Sequence, residues 1–397
     1  MNITHIEAIP LVRQLREVFQ GGTYKITSRN TIVTRVELDN GILGEVFGGD
    51  EDQYQLDVCR VVNDVYRPLL VGRDIRDVEA NWELMWNTRV DLNHRGIHTL
   101  DLAKHCVLTQ AIAAADNASW DALGKVLNQP VYKLLGGYRD RVPVLAIGGY
   151  VMAGKGLDDL AAEVEYYKAH GIFGMKLKVG HLSVEEDIVR ARLARKVGGP
   201  SFHLCTDSNQ AWTVDEAMQF ARGVQDLNLA WLEEPVRWHD QINGNARVRT
   251  LGIPVTAGQG EISRHGCLEL VARGAVDILN VDVTIAAGVT EWRRIAGMAH
   301  CFGVKMAHHE EPQIALHLLA GVPNGLLVEI FPNPQRDPMW FDLPVQQPAI
   351  RAGFMHLPAG PGFGMPLRQD ILPPTSSAAL CASSRISFFL SAGSAIT

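Results

Sequence analysis

The feature that most constrains this chain begins at Val142, where short apolar runs start to alternate with amphipathic helical stretches. The runs are VPVLAI from Val142, MKLKV from Met175, FHLCTDS from Phe202, AWLEEP from Ala230, IPVTAG from Ile253, VDILNVD from Val276, GVKMAH from Gly303 and LLVEIF from Leu326. Between them, LDDLAAEVEYYKAHG, VEEDIVRARLARKVG and VDEAMQFARGVQDLN carry apolar residues at helical spacing. A repeated strand-helix unit builds a parallel sheet through right-handed crossovers. Eight such strands within about 190 residues predict a closed βα barrel rather than an open Rossmann sheet. No GxGxxG follows the first of them.

The preceding 130 residues read differently, as α+β. TIVTRVEL from Thr31 to Leu38, the turn residues Asp39-Asn40-Gly41 and ILGEVF from Ile42 to Phe47 give a hairpin signal. DQYQLDVCRVVNDVYRPLL and the Ala-rich stretch between Thr99 and Leu127 predict helices, and Gly136-Gly137 stops a further turn. The expected units are residues 1–130, a barrel over 131–340, a C-terminal segment over 341–370 and a Ser/Ala-rich tail over 371–397.

Composition narrows the function. Of 397 residues, 47% are hydrophobic and 20% charged, as in an ordinary globular protein. With 37 basic against 44 acidic residues and no Lys/Arg cluster, nothing favours nucleic acid. The six cysteines, Cys59, Cys106, Cys205, Cys267, Cys301 and Cys381, lack CxxC spacing, which argues for a reducing compartment rather than a zinc site or disulfide framework. The N-terminal ITHIEAIPLV has no basic and apolar leader pattern and no apolar run of about 18 residues occurs, so a cytoplasmic protein without membrane contact is expected.

In a βα barrel the active site is built at the C-terminal strand ends. Here those ends carry Lys176 and Lys178, Asp207 and Asn209, Glu233 and Glu234, Gln259 and Glu261, Asp282, His308 and His309, and Glu329. Asp207, Glu233 and Glu261 would repel one another unless a cation shared their charge, and oxygen-only ligation suits Mg²⁺. The alternative is that each is a structural ion pair with a neighbouring Lys or Arg. Lys176 and Lys178 point to one side of a strand, and each ammonium, together with the nearby cation, is expected to lower the other's pKa toward that of a general base. Asp282 beside His309 would fix the imidazole tautomer and raise its basicity. His308 competes for that role, since only one of two consecutive residues can face the crevice.

These residues resemble the enolase superfamily, in particular its mandelate racemase subgroup. The markers are K-L-K at Lys176 to Lys178, D-S-N at Asp207 to Asn209, E-E-P at Glu233 to Pro235, Asp282 before A-A-G-V-T, His309 with His317 eight residues later, and Glu329. The resemblance implies an α/β fold, a modified (β/α)7β barrel of TIM type with an N-terminal α+β capping domain to which the C-terminal segment returns. It also implies Lys178 as one acid/base catalyst, the Asp282-His309 dyad as the other, and Asp207 and Glu233 as Mg²⁺ ligands. Glu329 would donate a hydrogen bond to the substrate carboxylate and Lys176 would contact it. The subgroup's third acidic ligand falls on Gln259, and Glu261, two residues on in the same strand phase, is assigned the metal because an anionic oxygen binds Mg²⁺ better than an amide. Gln259 is kept as a neighbour or alternative.

Substrate choice is expected to fall to the loops at Gln20 to Arg29 and Phe47 to Asp50, where Tyr24, Lys25 and Arg29, with Asn209 and Gln259 below, could bind hydroxyls or a second carboxylate. A proton α to a carboxylate is very weakly acidic, so its removal needs stabilisation of the second negative charge as it forms. The expected enzyme is a Mg²⁺-dependent sugar-acid dehydratase and homo-oligomer that forms an enediolate and eliminates the β-hydroxyl. A racemase or epimerase of a 2-hydroxy acid would use the same catalysts, and a non-catalytic ligand-binding barrel is the remaining alternative. NVDVTIAAG lacks the lysine that a muconate-cycloisomerase-like branch needs on the sixth strand.

Overall fold

The computed structural model describes residues 1–49, 53–88, 102–374 and 388–389. Strands β1 (Ile3–Gln20), β2 (Lys25–Leu38) and β3 (Leu43–Gly48) form an antiparallel sheet in chain order, with the turn Asp39-Asn40-Gly41 joining the last two. The hairpin is as expected, but the long β1 left no clear signal, because Pro10 and the charge-rich RQLRE obscure its alternation. The pair Phe388–Phe389, within the Ser/Ala-rich tail, adds in parallel to β1; the rest of the tail beyond residue 374 lies outside the described residues.

A helical run passes from Gln55–Arg60 through a π-helical Val61–Tyr66 to Arg67–Leu70. The helix Leu102–Val126 presents Ala111, Ala115, Ala118 and Ala122, all fully buried. Their small size lets the sheet approach so closely that a Cβ on Gly44 would meet the Ala118 carbonyl at 2.4 Å. The start of the predicted helix, at residues 99–101, lies outside the described residues.

All eight predicted barrel strands are present: β4 (Arg141–Gly148), β5 (Gly174–Lys178), β6 (His203–Asp207), β7 (Leu232–Glu233), β8 (Val255–Ala257), β9 (Ile278–Leu279), β10 (Lys305–Met306) and β11 (Val328–Ile330). Neighbours pair in parallel in chain order from β4 to β10. β11 pairs with β4, and across the last seam the Met306 N–H donates to the Asn324 carbonyl while its own carbonyl accepts from the Leu326 N–H, so the sheet closes. After β11 the one described helix is the short Pro338–Asp342, which gives the (β/α)7β form, and a hairpin of Ile350–Arg351 and Phe354–His356 then pairs antiparallel with β4. The α/β fold class is therefore as expected. The described cysteines are free thiols, and no described helix is long and apolar enough to cross a membrane.

The C-terminal segment ties barrel to cap. The fully buried Arg35 of β2 donates to Glu45 at 2.8 Å, to the Pro373 carbonyl at 2.7 Å and to Gln369 at 2.8 Å. His317 accepts from the Tyr132 N–H through Nδ1 and donates Nε2–H to the Phe363 carbonyl at 2.9 Å. Burial keeps its imidazole neutral, with the pKa pushed down to about 3, so this histidine is a structural strut.

Candidate active site

Parallel register places Lys178, Asp207 and Glu233 side by side across β5, β6 and β7, in one row around the mouth of the barrel. Lys178 Nζ lies 2.6 Å from Asp207 Oδ2 and donates to Asn209 Oδ1 at 3.1 Å. Lys176, on the same side of the strand one step deeper, reaches Glu233 Oε1 at 2.7 Å and Glu329 Oε1 at 2.6 Å. All five charged groups are buried, and three carboxylates face two ammoniums. A net negative charge held away from water is costly, and a cation relieves it.

The lysines do not titrate as the sequence suggests. Burial works against the ammonium of Lys178, but Asp207 in contact outweighs it and holds the pKa well above the ordinary lysine value. Lys176 is likewise raised, burial being overcome by Glu233, Glu329 and Asp207. Contacting carboxylates exceed the repulsion between two ammoniums that do not touch, so among the protein's own charges the two lysines do not lower one another. Asp207 is held below the ordinary carboxylate range, Lys178 and Lys176 overcoming its burial. Glu233 is pushed up to about 8, chiefly by burial.

The third predicted metal residue is not brought to the other two. β8 ends at Ala257, and Gly258, at φ +127°, turns the chain so that the Glu261 N–H bonds back to the Gly258 carbonyl at 3.0 Å. The strand phase that was to align Glu261 with Gln259 is thereby broken. The Glu261 carboxylate instead packs against Gly266 in the helix Arg264–Ala272, and burial alone raises its pKa. Gln259 takes the inward place. Its Oε1 lies 3.5 Å from Asn280 Nδ2, which donates to Glu233 Oε1 at 2.9 Å, while the buried Asn280 Oδ1 has no hydrogen-bond partner. No trio of Asp, Glu, His or Cys among the described residues could hold a metal ion, but Asp207 and Glu233 with these amides form an all-oxygen set that fits Mg²⁺.

Across the mouth, His309 Nδ1 lies 2.9 Å from Asp282 Oδ2, whose Oδ1 accepts from the Thr284 N–H and hydroxyl, each at 2.7 Å. His309 Nε2 sits 3.5 Å from Glu310 Oε1. Burial disfavours the imidazolium, yet Glu310 and Asp282 overcome it and push the pKa up to about 10. His308 turns into the wall, accepting from the Val283 N–H at 3.1 Å, and is held neutral by burial. Of these two consecutive histidines, which lie just beyond β10, only His309 thus faces Asp282 at the mouth.

Backbone strain gathers here. Asn209, Gln210, Glu234, Glu310 and Glu311 all have positive φ beyond barrel strands, a conformation that non-glycine residues avoid. The capping loop docks on this rim: Gln20 bridges Val151, Thr23 donates to the Asn209 carbonyl at 3.1 Å, and a Cβ on Gly22 would collide with the Ser208 carbonyl. Tyr24 places its ring 5.7 Å from Lys178 Nζ. Lys25 is exposed, and Arg29 is buried among Glu310 at 3.2 Å, Asp337 at 3.2 Å and Glu311 at 3.7 Å. Tyr150, Glu310 and Arg336 also border the site, and the sequence reading did not single them out. The signal for Glu310 was its place directly after His309; Tyr150 and Arg336 lie in loops and had none.

Two family models cover most of the chain: "Mandelate racemase / muconate lactonizing enzyme, N-terminal domain" over residues 12–136 and "Enolase C-terminal domain-like" over residues 159–371. The chain is 28% identical over 350 residues to arabinonate dehydratase of Saccharolobus solfataricus, covering 86% of this chain and 89% of that protein. It is 30% identical over 392 residues to D-galactarolactone cycloisomerase of Agrobacterium fabrum, covering 94% and 98%. The crystal structure of a mandelate racemase/muconate lactonizing enzyme from a marine actinobacterium in complex with magnesium superimposes with a TM-score of 0.82 at 38% identity, covering 93% of this chain and 97% of that one. The chain belongs to the mandelate racemase subgroup of the enolase superfamily.

Proposed function

We propose that this protein is a Mg²⁺-dependent sugar-acid dehydratase, which removes the proton α to a carboxylate and expels the β-hydroxyl to leave a 2-keto-3-deoxy acid. The observation that carries the reading is the setting of His309, whose two ring nitrogens face the carboxylates of Asp282 and Glu310. An imidazole so flanked keeps its proton near neutral pH and can deliver it to a departing hydroxyl. The relatives named for dehydration support the same chemistry.

Asp207 and Glu233 would hold Mg²⁺ with Gln259 as a neutral third donor, and the ion would stabilise the second negative charge that grows on the substrate carboxylate. Lys178 stands ready to take the α-proton, oriented by Asp207 and Asn209. It works from its neutral form, so the hold of Asp207 on its ammonium has to be relaxed in the loaded site. Lys176 offers an ammonium to the substrate carboxylate, and Glu329 beside it offers a hydrogen bond once protonated. His309 then gives its proton to the β-oxygen as the enediolate collapses to the enol of the keto acid.

A second reading takes its support from the cycloisomerase relative. With a cyclic substrate the same abstraction expels a ring oxygen that stays tethered, so the product keeps the mass of the substrate. Incubation of the Mg²⁺-loaded enzyme with a sugar-acid library, followed by semicarbazide detection of 2-keto acids and mass spectrometry, tests both. Keto acid with loss of one water is expected. Isomers of unchanged mass would favour cycloisomerisation or epimerisation, and no turnover of any acid would defeat the proposal.

A further inference from the structure

Around the barrel the candidate metal residues occupy β6 to β8, flanked by Lys178 on β5 and Asp282 and His309 after β9 and β10. The arc that remains, after β11 and β4, holds Arg336 and Tyr150. Both are buried, Arg336 being 2% exposed. The guanidinium packs 4.0 Å from the Phe331 ring centroid and 5.4 Å from that of Tyr150. Lys178 Nζ stands 5.9 Å from the same Tyr150 centroid, so this arc borders the reaction space.

Neither group is satisfied. Arg336 Nε and Nη1 and the Tyr150 hydroxyl are buried with no hydrogen-bond partner. The nearest carboxylate, Glu310, lies 3.8 Å from Arg336 Nη2, faces His309 and is paired with Arg29 at 3.2 Å. A buried guanidinium with donors left over is costly, and a carboxylate ligand removes that cost by accepting several hydrogen bonds at once. A carboxylate brings two oxygens, each able to accept more than one hydrogen bond, where a hydroxyl brings one.

We infer that Arg336 and Tyr150 receive a second carboxylate at the far end of the substrate, so that the enzyme acts on dicarboxylic rather than monocarboxylic sugar acids. This rests on the proposed sugar-acid chemistry but is tested by binding, which does not require turnover. The Mg²⁺-loaded wild type, Arg336→Met and Tyr150→Phe are titrated calorimetrically with galactarate against galactonate and with glucarate against gluconate. For at least one pair the diacid should bind about tenfold or more tightly, Arg336→Met should bring the ratio close to one, and Tyr150→Phe should reduce it several-fold. Tyr150→Phe removes one oxygen and keeps the test open if Arg336→Met fails to fold. Equal binding of both classes, a ratio unmoved by either variant, or no binding of any of the four acids would overturn the inference. Diacid binding that depends on Arg336 without turnover would sink the dehydratase reading alone, and turnover of monoacids without diacid preference would sink this one alone.

Discussion

At the base of the barrel Leu145, Cys205, Trp231, Ile278, Ala307 and Leu327 close an apolar cluster, whereas the mouth buries Lys176, Lys178, Asp207, Glu233 and Glu329. The two ends are separated by very little chain. Cys205 and Asp207 share β6, and Trp231 and Glu233 lie two residues apart. Below the cluster a cavity of about 730 Å³, lined by Phe173, His203, Phe302 and Leu326 among others, is again mainly apolar. Each large apolar side chain buried at the base, such as Leu145 or Leu327, contributes roughly 1.5–3 kcal/mol, while each buried ion at the mouth costs several until it is paired. The base therefore offsets the mouth, and it also orients it, since Trp231 Nε1–H donates to Glu233 Oε2 at 3.0 Å.

If that division holds, substitutions at the two ends should have opposite signatures. Lys178→Ala should lower turnover by about 10³-fold or more while circular dichroism reports an intact fold, because it removes a proton-transfer group. Turnover within tenfold of wild type would remove Lys178 from the mechanism. Leu145→Ala should instead cost about 2–5 kcal/mol in denaturant unfolding and leave kcat at 25 °C within about twofold. A loss of kcat comparable to that of Lys178→Ala would mean that the base is not merely supporting.

The same contrast explains what was legible in the sequence. The eight strands could be read because barrel strands buried on both faces are short continuous apolar runs, and their polar ends followed from where each run stopped. Lys176, Lys178, Asp207, Glu233, Asp282, His309 and Glu329 were singled out that way, and their side chains lie at the mouth. Glu261 failed because strand phase was extended through a turn that Gly258 makes. The hold of the carboxylates on the two lysines was not legible, because sequence shows that two ammoniums are near each other but not which carboxylates touch them. Tyr150 and Arg336 were unreadable for a further reason: they belong to loops with no period, and only the closure of β11 onto β4 brings them together.

The His309 dyad gives the mouth a pH signature that the base lacks. Its folded pKa of about 10 lies above the ordinary imidazole value of about 6.5, so its contribution to stability is complete below about 6.5 and is lost as pH rises through about 10. Asp282→Asn, which removes one of the two carboxylates that hold the proton, should flatten the decline in unfolding free energy between pH 7 and 10, read from denaturant titrations, by on the order of a kcal/mol or more. The alkaline limb of kcat should move toward neutral pH in the same variant. A stability profile identical to wild type would show that Asp282 does not bias the protonation of His309.

The smallest expected effect sharpens the boundary of the mouth itself. Gln259 is linked through Asn280 to Glu233, whereas Glu261 lies beyond the turn against Gly266. A neutral amide in the third place leaves the site with two anionic donors, and hard cations gain affinity with each added carboxylate. Gln259→Glu should therefore tighten Mg²⁺ binding, by about tenfold in calorimetric titration, since the new charge faces the ion rather than solvent. Glu261→Gln should leave that affinity within about twofold, because its carboxylate meets neither Asp207 nor Glu233. The reverse pattern, with Glu261→Gln weakening Mg²⁺ and Gln259→Glu changing nothing, would mean that the Gly258 turn rearranges when metal enters and that the mouth extends one residue pair further than its metal-free geometry implies.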